Sequence, residues 1–140
     1  MNQPVVLIVE DDADLRDALC ATVGLAGFSA VCAADGEQAL KLVGERNISL
    51  VVSDVQMDGM DGHTLLHKLK STAPELPVVL MTAYGTIEKA VESMRAGAAD
   101  YLVKPFDAEV LVEMIRRYLP DTDSDPGVVA EDPATRKLTA

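Results

Sequence analysis

Five short apolar runs recur along the first 119 residues, and each is followed by a stretch whose apolar positions repeat at helical spacing. Pro4 to Val9, rich in Val and Ile, predicts a buried parallel strand. It ends in Glu10-Asp11-Asp12. Leu15, Ala18, Leu19, Thr22, Val23 and Ala26 then mark a helical stripe that Asp12 or Asp14 caps and Gly27 stops. Phe28 to Ala33 predicts a second strand, and Asp35-Gly36 starts a helix with Ala39, Leu40, Leu42 and Val43 on its apolar face. Ile48 to Ser53 predicts a third strand with Asp54 at its end. Gly59 and Gly62 open the loop before a helix over 61–71, whose Leu65, Leu66 and Leu69 face inward and which Pro74 closes. Pro77 to Met81 predicts a fourth strand ending at Thr82. A helix over 86–96 follows, with Ile87, Ala90, Val91 and Met94 on one face and Gly97 as its stop. Ala99 to Val103 predicts a fifth strand, ended by Lys104-Pro105. Asp107 caps a last helix with Val110, Leu111, Met114, Ile115 and Leu119 inward and Tyr118 beside them, before Pro120 breaks it.

Strict alternation of strand and helix with short links predicts a parallel sheet with helices on both faces. Right-handed crossovers then make it a doubly wound five-stranded α/β fold. Residues 1–119 are expected to form one domain. Asp121 to Gly127, made of Asp, Thr, Ser, Pro and Gly, reads as a linker and not as a sixth unit.

Composition narrows this picture. With two Phe, three Tyr and no Trp in a chain that is 49% hydrophobic, the core must be aliphatic. No apolar run approaches a membrane span and the N-terminus has no basic-then-apolar leader pattern, so no membrane contact and a cytoplasmic location are expected. Cys20 and Cys32 show neither metal nor redox spacing and read as small buried apolar residues in a reducing compartment. His63 and His67 are spaced like a helical metal clamp, but no acid or Cys partner follows at ligand spacing, so they read as a solvated helix face. Twelve basic against 23 acidic residues give a net charge of −11, with no basic stripe, which argues against direct nucleic-acid binding.

Part of that acid is gathered at one place. The first strand delivers Glu10 and Asp11 just past its C-terminal end, the third Asp54, the fourth Thr82 and the fifth Lys104. One sheet edge therefore collects three carboxylates, a hydroxyl and an ammonium, where open α/β sheets place their chemistry. Singly, each has a bland explanation: helix capping for the acids, a strand residue for Thr82, a surface charge for Lys104. Together, the carboxylates repel one another unless a cation intervenes. A hard ion such as Mg2+ suits an all-oxygen site, with Asp54 and Asp11 as direct ligands, Glu10 acting through water, and the main-chain carbonyl of Gln56 turned toward the same ion. There is no catalytic His at a strand end, no Ser or Cys nucleophile motif and no glycine-rich phosphate loop. The set suits phosphoryl transfer onto Asp54, with Lys104 and Thr82 stabilising the phosphoryl oxygens and the small Ala83 leaving them room. A haloacid-dehalogenase-type phosphatase also uses an Asp nucleophile and Mg2+, but needs a second Asp two residues later, where this chain has Gln56.

Val9-Glu10-Asp11-Asp12, Ser53-Asp54-Val55-Gln56-Met57-Asp58-Gly59-Met60-Asp61-Gly62, Met81-Thr82-Ala83-Tyr84-Gly85 and Asp100-Tyr101-Leu102-Val103-Lys104-Pro105-Phe106 together resemble the receiver domain of bacterial two-component response regulators, over residues 4–119. The resemblance implies a flavodoxin-like receiver fold and phosphoryl transfer from a sensor histidine kinase onto Asp54. It further implies a switch in which Thr82 moves toward the phosphoryl group and Tyr101 turns inward. The chain would then catalyse only its own phosphotransfer and autodephosphorylation. Read alone, Tyr101 is an ordinary half-buried strand aromatic. Leu15, Ala18 and Leu19 fit the kinase-docking helix of the family or the core, and individually core is the simpler reading. Asp58 stands where the family usually has Pro, which leaves the loop after Asp54 less constrained.

Met81 to Gly85 and Gly97 to Leu102 look most like receivers of enhancer-binding transcription activators, and residues 128–138 resemble the lead-in to their ATPase module. That module and a DNA-binding helix-turn-helix are absent from this chain, which resembles the regulatory part of a longer protein. Asp61-Gly62-His63 followed by Leu65-Leu66 is similar to the FleR-type flagellar regulators. Ile87, Val91 and Val103 motivate a homodimer through the face of the fourth helix, fifth strand and fifth helix. Two other roles remain: a stand-alone phosphorelay carrier, against which the tail counts, and a phosphorylation-independent interaction module, which needs none of the charge cluster.

Overall fold

The computed structural model describes residues 4–57, 59–83 and 87–119. The expected linker and lead-in at 120–140, Asp58, Tyr84-Gly85-Thr86 and the side chain of Ile87 lie outside the described residues. Strands and helices alternate: β1 (Val5–Val9), α1 (Ala13–Leu25), β2 (Ser29–Ala33), α2 (Gly36–Glu45), β3 (Leu50–Asp54), α3 (Gly62–Thr72), β4 (Val78–Thr82), α4 (Ile87–Arg95), β5 (Asp100–Val103) and α5 (Ala108–Tyr118). The strands form one sheet in the order β2-β1-β3-β4-β5, parallel throughout. This is the doubly wound sheet that the alternation predicts.

Because successive strand residues face opposite sides, each apolar run feeds two cores. Val6 and Ile8 join Leu50, Val52, Val79 and Met81 beneath α1 and α5. Leu7 and Val9 join Val51, Val78 and Leu80 beneath α2 and α3. β3 and β4 are buried along their whole length, as continuous apolar strands covered on both faces must be. Leu65, Leu66 and Leu69 of α3 are all fully buried, each contributing about 1.5–3 kcal/mol.

Helix starts follow the sequence closely. The Asp12 carboxylate, not that of Asp14, caps α1 by accepting from Asp14 N (3.0 Å) and Leu15 N (3.3 Å). Asp35 and Asp61 cap α2 and α3 in the same way. Asp107 occupies the N-cap position of α5 but makes no side-chain cap bond, which corrects the expected capping role. Gly27 and Gly97 end their helices at positive φ of 99° and 108°, where L side chains are strained.

Four side chains depart from expectation. Val110, expected inward, is 41% exposed, because the α5 stripe centres on Leu111, Met114 and Ile115 and leaves the preceding residue at its edge. Ala18 is exposed while Leu19 is buried, so the simpler core reading fails for Ala18. The cysteines, expected as small buried apolar residues in a reducing compartment, are half-buried and face each other: the α1 crossing brings Cys20 over Cys32 of β2, where they pair as a disulfide with Cα atoms 6.8 Å apart.

Candidate functional site

The strand order puts β1, β3, β4 and β5 side by side, so the groups at their C-terminal ends fall on one contiguous edge. After β1 the chain steps outward to β2 and returns on the other side as β3. The crevice between β1 and β3 is therefore the switch point at which doubly wound sheets bind ligands. Glu10, only 1% exposed, extends β1 by donating its N–H to Ala33 O (3.1 Å). Asp54 closes β3 and is also buried. Lys104 directly follows β5, precedes a cis Lys104–Pro105 peptide, and is tied to β4 by Lys104 N donating to Thr82 O (2.7 Å).

Lys104 Nζ bridges the two buried carboxylates, 2.7 Å from Glu10 Oε1 and 3.1 Å from Asp54 Oδ2. Glu10 Oε2 accepts from Asp12 N at 3.2 Å, and Asp54 Oδ1 accepts from Gln56 N at 3.2 Å. Burial raises the Glu10 pKa above the ordinary 4.5, outweighing the hydrogen bond from Lys104 that pulls it down; the charge of Asp54 adds to the rise. For Lys104, burial works to lower the pKa, but hydrogen bonds to Glu10 and Asp54 more than offset it and hold it above 10.5. The two shifts differ in what dominates: the lysine gains more from its two partners than it loses by burial, whereas Glu10 shares one ammonium with Asp54.

Carboxylate oxygens of Glu10, Asp11 and Asp54 lie within 4.8 Å of one another, the only such acid cluster among the described residues. Three hard anionic donors at this separation, on a partly open edge, fit a Mg2+ ion that keeps several waters. The ammonium of Lys104 already supplies part of the compensating charge.

Beside the cluster is a cavity of about 410 Å³ whose walls include Gln56, Asp61, His63, Thr82, Ser93 and Tyr101. Thr82 and Tyr101 thus border one space, next to Asp54. His63 is not part of a solvated face: its Nε2 lies 3.2 Å from the Oγ of buried Ser93, joining α3 to α4. His67, by contrast, is exposed as expected.

Gly62 sets how closely α3 approaches the end of β3. Its N–H donates to Val55 O at 2.8 Å, and a Cβ there would meet the backbone oxygen of Asp54 and come within 2.8 Å of Val55 Cα. Backbone cannot yield as a flexible side chain does. Gly62→Ala is therefore expected to lose about 2 kcal/mol of unfolding free energy, read from a urea denaturation midpoint. Unchanged stability would mean that α3 slides away without penalty.

The edge brings together Glu10, Asp11, Asp54, Thr82 and Lys104 as the sequence placed them, with Gln56 beside Asp54 and Tyr101 one cavity wall away. Sequence reasoning did not find the roles of Ser93 and His63. A lone Ser in a helix carries no signal of its own, and its partner lies 30 residues away.

Comparison with known proteins gives a consistent result. Residues 6–116 match the family described as "Response regulator receiver domain". The chain is 50% identical over 137 residues to the response regulator protein FleR of Pseudomonas aeruginosa, covering 95% of this chain and 29% of that protein. It is 40% identical over 114 residues to the C4-dicarboxylate transport transcriptional regulatory protein DctD of Rhizobium meliloti, covering 81% and 25%. The chain therefore spans less than a third of the length of these relatives. Among solved structures, the receiver domain of NtrX from Brucella abortus superposes with a TM-score of 0.77 at 37% identity, covering 81% of this chain and 97% of that one. Chemotaxis protein CheY4 of Vibrio cholerae gives 0.80 at 29% identity, covering 84% and 99%.

Proposed function

The chain belongs to the response regulator receiver domain family, and from that premise we propose that it is a switch driven by phosphorylation of Asp54. The single observation that supports this most directly is the Lys104 ammonium held between Glu10 and Asp54 inside the acid cluster. A carboxylate oxygen of Asp54 attacks phosphorus of a phosphohistidine on a sensor histidine kinase. The new O–P bond forms as the P–N bond breaks, and the electron pair returns to the imidazole of the kinase. Lys104 turns its charge toward the incoming phosphoryl oxygens, and Thr82, which lines the cavity, donates its hydroxyl to another. Asp11, Asp54 and the Gln56 carbonyl, with Glu10 through water, would hold a Mg2+ ion, which would supply further charge neutralisation.

The signal leaves through the α4–β5–α5 face. Tyr101 turns into the cavity that it borders, and α4 repacks above it. Val91, Met94 and Val103 on that side are 44%, 47% and 42% exposed, which suits them to a homodimer contact. In this reading residues 1–119 form the receiver and 120–140 lead into an ATPase and DNA-binding module of a longer transcription activator, in keeping with the length of its relatives. A cytoplasmic location belongs to the same reading; no helix among the described residues is long and apolar enough to cross a membrane.

Intact-protein mass after incubation with a small-molecule phosphodonor tests the proposal. One added phosphoryl group is expected with Mg2+ and none with chelator. If neither that donor nor a histidine kinase adds a phosphoryl group, the chain is a phosphorylation-independent module and the reading is overturned.

A further inference from the structure

The turn Glu10-Asp11-Asp12 carries two acids of the cluster, and both sides of it are held by one residue of α1. Arg16 donates its backbone N–H to Asp12 O at 2.8 Å and its guanidinium Nη1 to Glu10 O at 2.9 Å. These two carbonyls flank Asp11, which is exposed. Any residue at position 16 would make the backbone bond, the first of the helix. Only a long side chain with a terminal donor makes the second. Helical side chains lean toward the N-terminus, which is why the fourth residue of α1 reaches back six positions. The carbonyl it meets lies past the end of the β1 ladder on a fully buried residue, where it would otherwise lack a strand partner.

We infer that Arg16 is a positioning residue of the metal site: by holding the Glu10 and Asp12 carbonyls it fixes the main chain of the turn from which the Glu10 and Asp11 carboxylates extend. The inference rests on the proposed Mg2+ role of that cluster. Arg16 has two effects of opposite sign on a bound cation. Its charge repels the ion, and its hydrogen bond arranges the ligands. The geometry favours the second, because the guanidinium Nη1 donates to a main-chain oxygen, that of Glu10.

Magnesium titration calorimetry of the whole chain separates the two effects. Arg16→Met, which keeps most of the stem and removes the donor, is expected to weaken Mg2+ binding about tenfold, in the range of lost ligand-orienting contacts. Arg16→Lys keeps charge and one donor, and is expected to fall between Met and Arg. Phosphorylation of Arg16→Met by a small phosphodonor should need correspondingly more Mg2+ yet reach the unaltered rate at saturation, a split that general loss of structure would not produce. Equal or tighter Mg2+ binding by Arg16→Met overturns the inference while leaving the metal site standing. If Arg16→Met does not fold, Arg16→Lys decides: affinity equal to that of the unaltered protein overturns it. No Mg2+ binding by the unaltered protein would overturn the metal reading, and this inference with it.

Discussion

An Asp54→Asn chain is expected to take up no phosphoryl group from either a small phosphodonor or a kinase, and yet to be more stable than the unaltered protein without metal. The first effect follows from chemistry: the amide oxygen is a poor nucleophile and the nitrogen carries no usable lone pair. The second follows from charge. Asp54 is buried with Glu10 and Asp11 oxygens within 4.8 Å, and its charge helps to raise the Glu10 pKa. Asn removes that repulsion and a desolvation penalty, while its oxygen still accepts from Lys104 and only the bond from Gln56 N is lost. A gain of about 1 kcal/mol in chelator is the expected size, since the lost attraction to Lys104 offsets part of it. Mg2+ should then stabilise Asp54→Asn less than the unaltered chain, because one ligand charge is gone. Denaturation midpoints with and without Mg2+ read both changes. A less stable variant in chelator would mean that the Lys104–Asp54 pair outweighs the repulsion; a phosphorylated one would move the acceptor elsewhere.

How much of this was legible in the sequence depends on whether the signal is local. Strand ends, helix starts and the inward leucines of α3 are written in short-range pattern, and Asp12 caps α1 and Asp35 begins α2 where that pattern puts them, although Asp107 makes no cap bond. The edge constellation was legible for a topological reason: in a parallel sheet every strand ends on the same side, so residues distant in sequence share an edge without any knowledge of strand order. What escaped is contact between side chains on different elements. The Cys20–Cys32 pair, the His63–Ser93 bond and the Arg16 hold on Glu10 all depend on how far each helix is rotated about its axis. Periodicity fixes that rotation only to within about one residue, which is also why Val110 was misplaced at the edge of the α5 stripe.

Lys104→Met is the converse of Asp54→Asn, since it removes the cation and leaves the anions. The Lys104 side chain is 19% exposed, but those of Glu10 and Asp54 are only 2% and 9% exposed, so water cannot fully replace the ammonium. Stranding buried carboxylates in this way is expected to remove about 3 kcal/mol at neutral pH, the low end for a broken buried pair because the lysine end is partly hydrated. The pH dependence has a definite sign. The raised pKa of Lys104 means that its stabilising contribution is present below the ordinary lysine value and is lost only as pH climbs through the higher folded value. Through the neutral range the unaltered protein therefore keeps the tie. Glu10 also has a raised pKa, so the fold favours its protonated form and is penalised as pH rises through that pKa. Without the Lys104 donor this penalty grows. The deficit of Lys104→Met relative to the unaltered chain should therefore shrink on acidification into the carboxylate range. Mg2+ should narrow the same deficit at neutral pH by supplying the missing positive charge to the same oxygens. A deficit independent of both pH and Mg2+ would show that Lys104 acts through the packing of its stem, and would remove it from the electrostatics of the site.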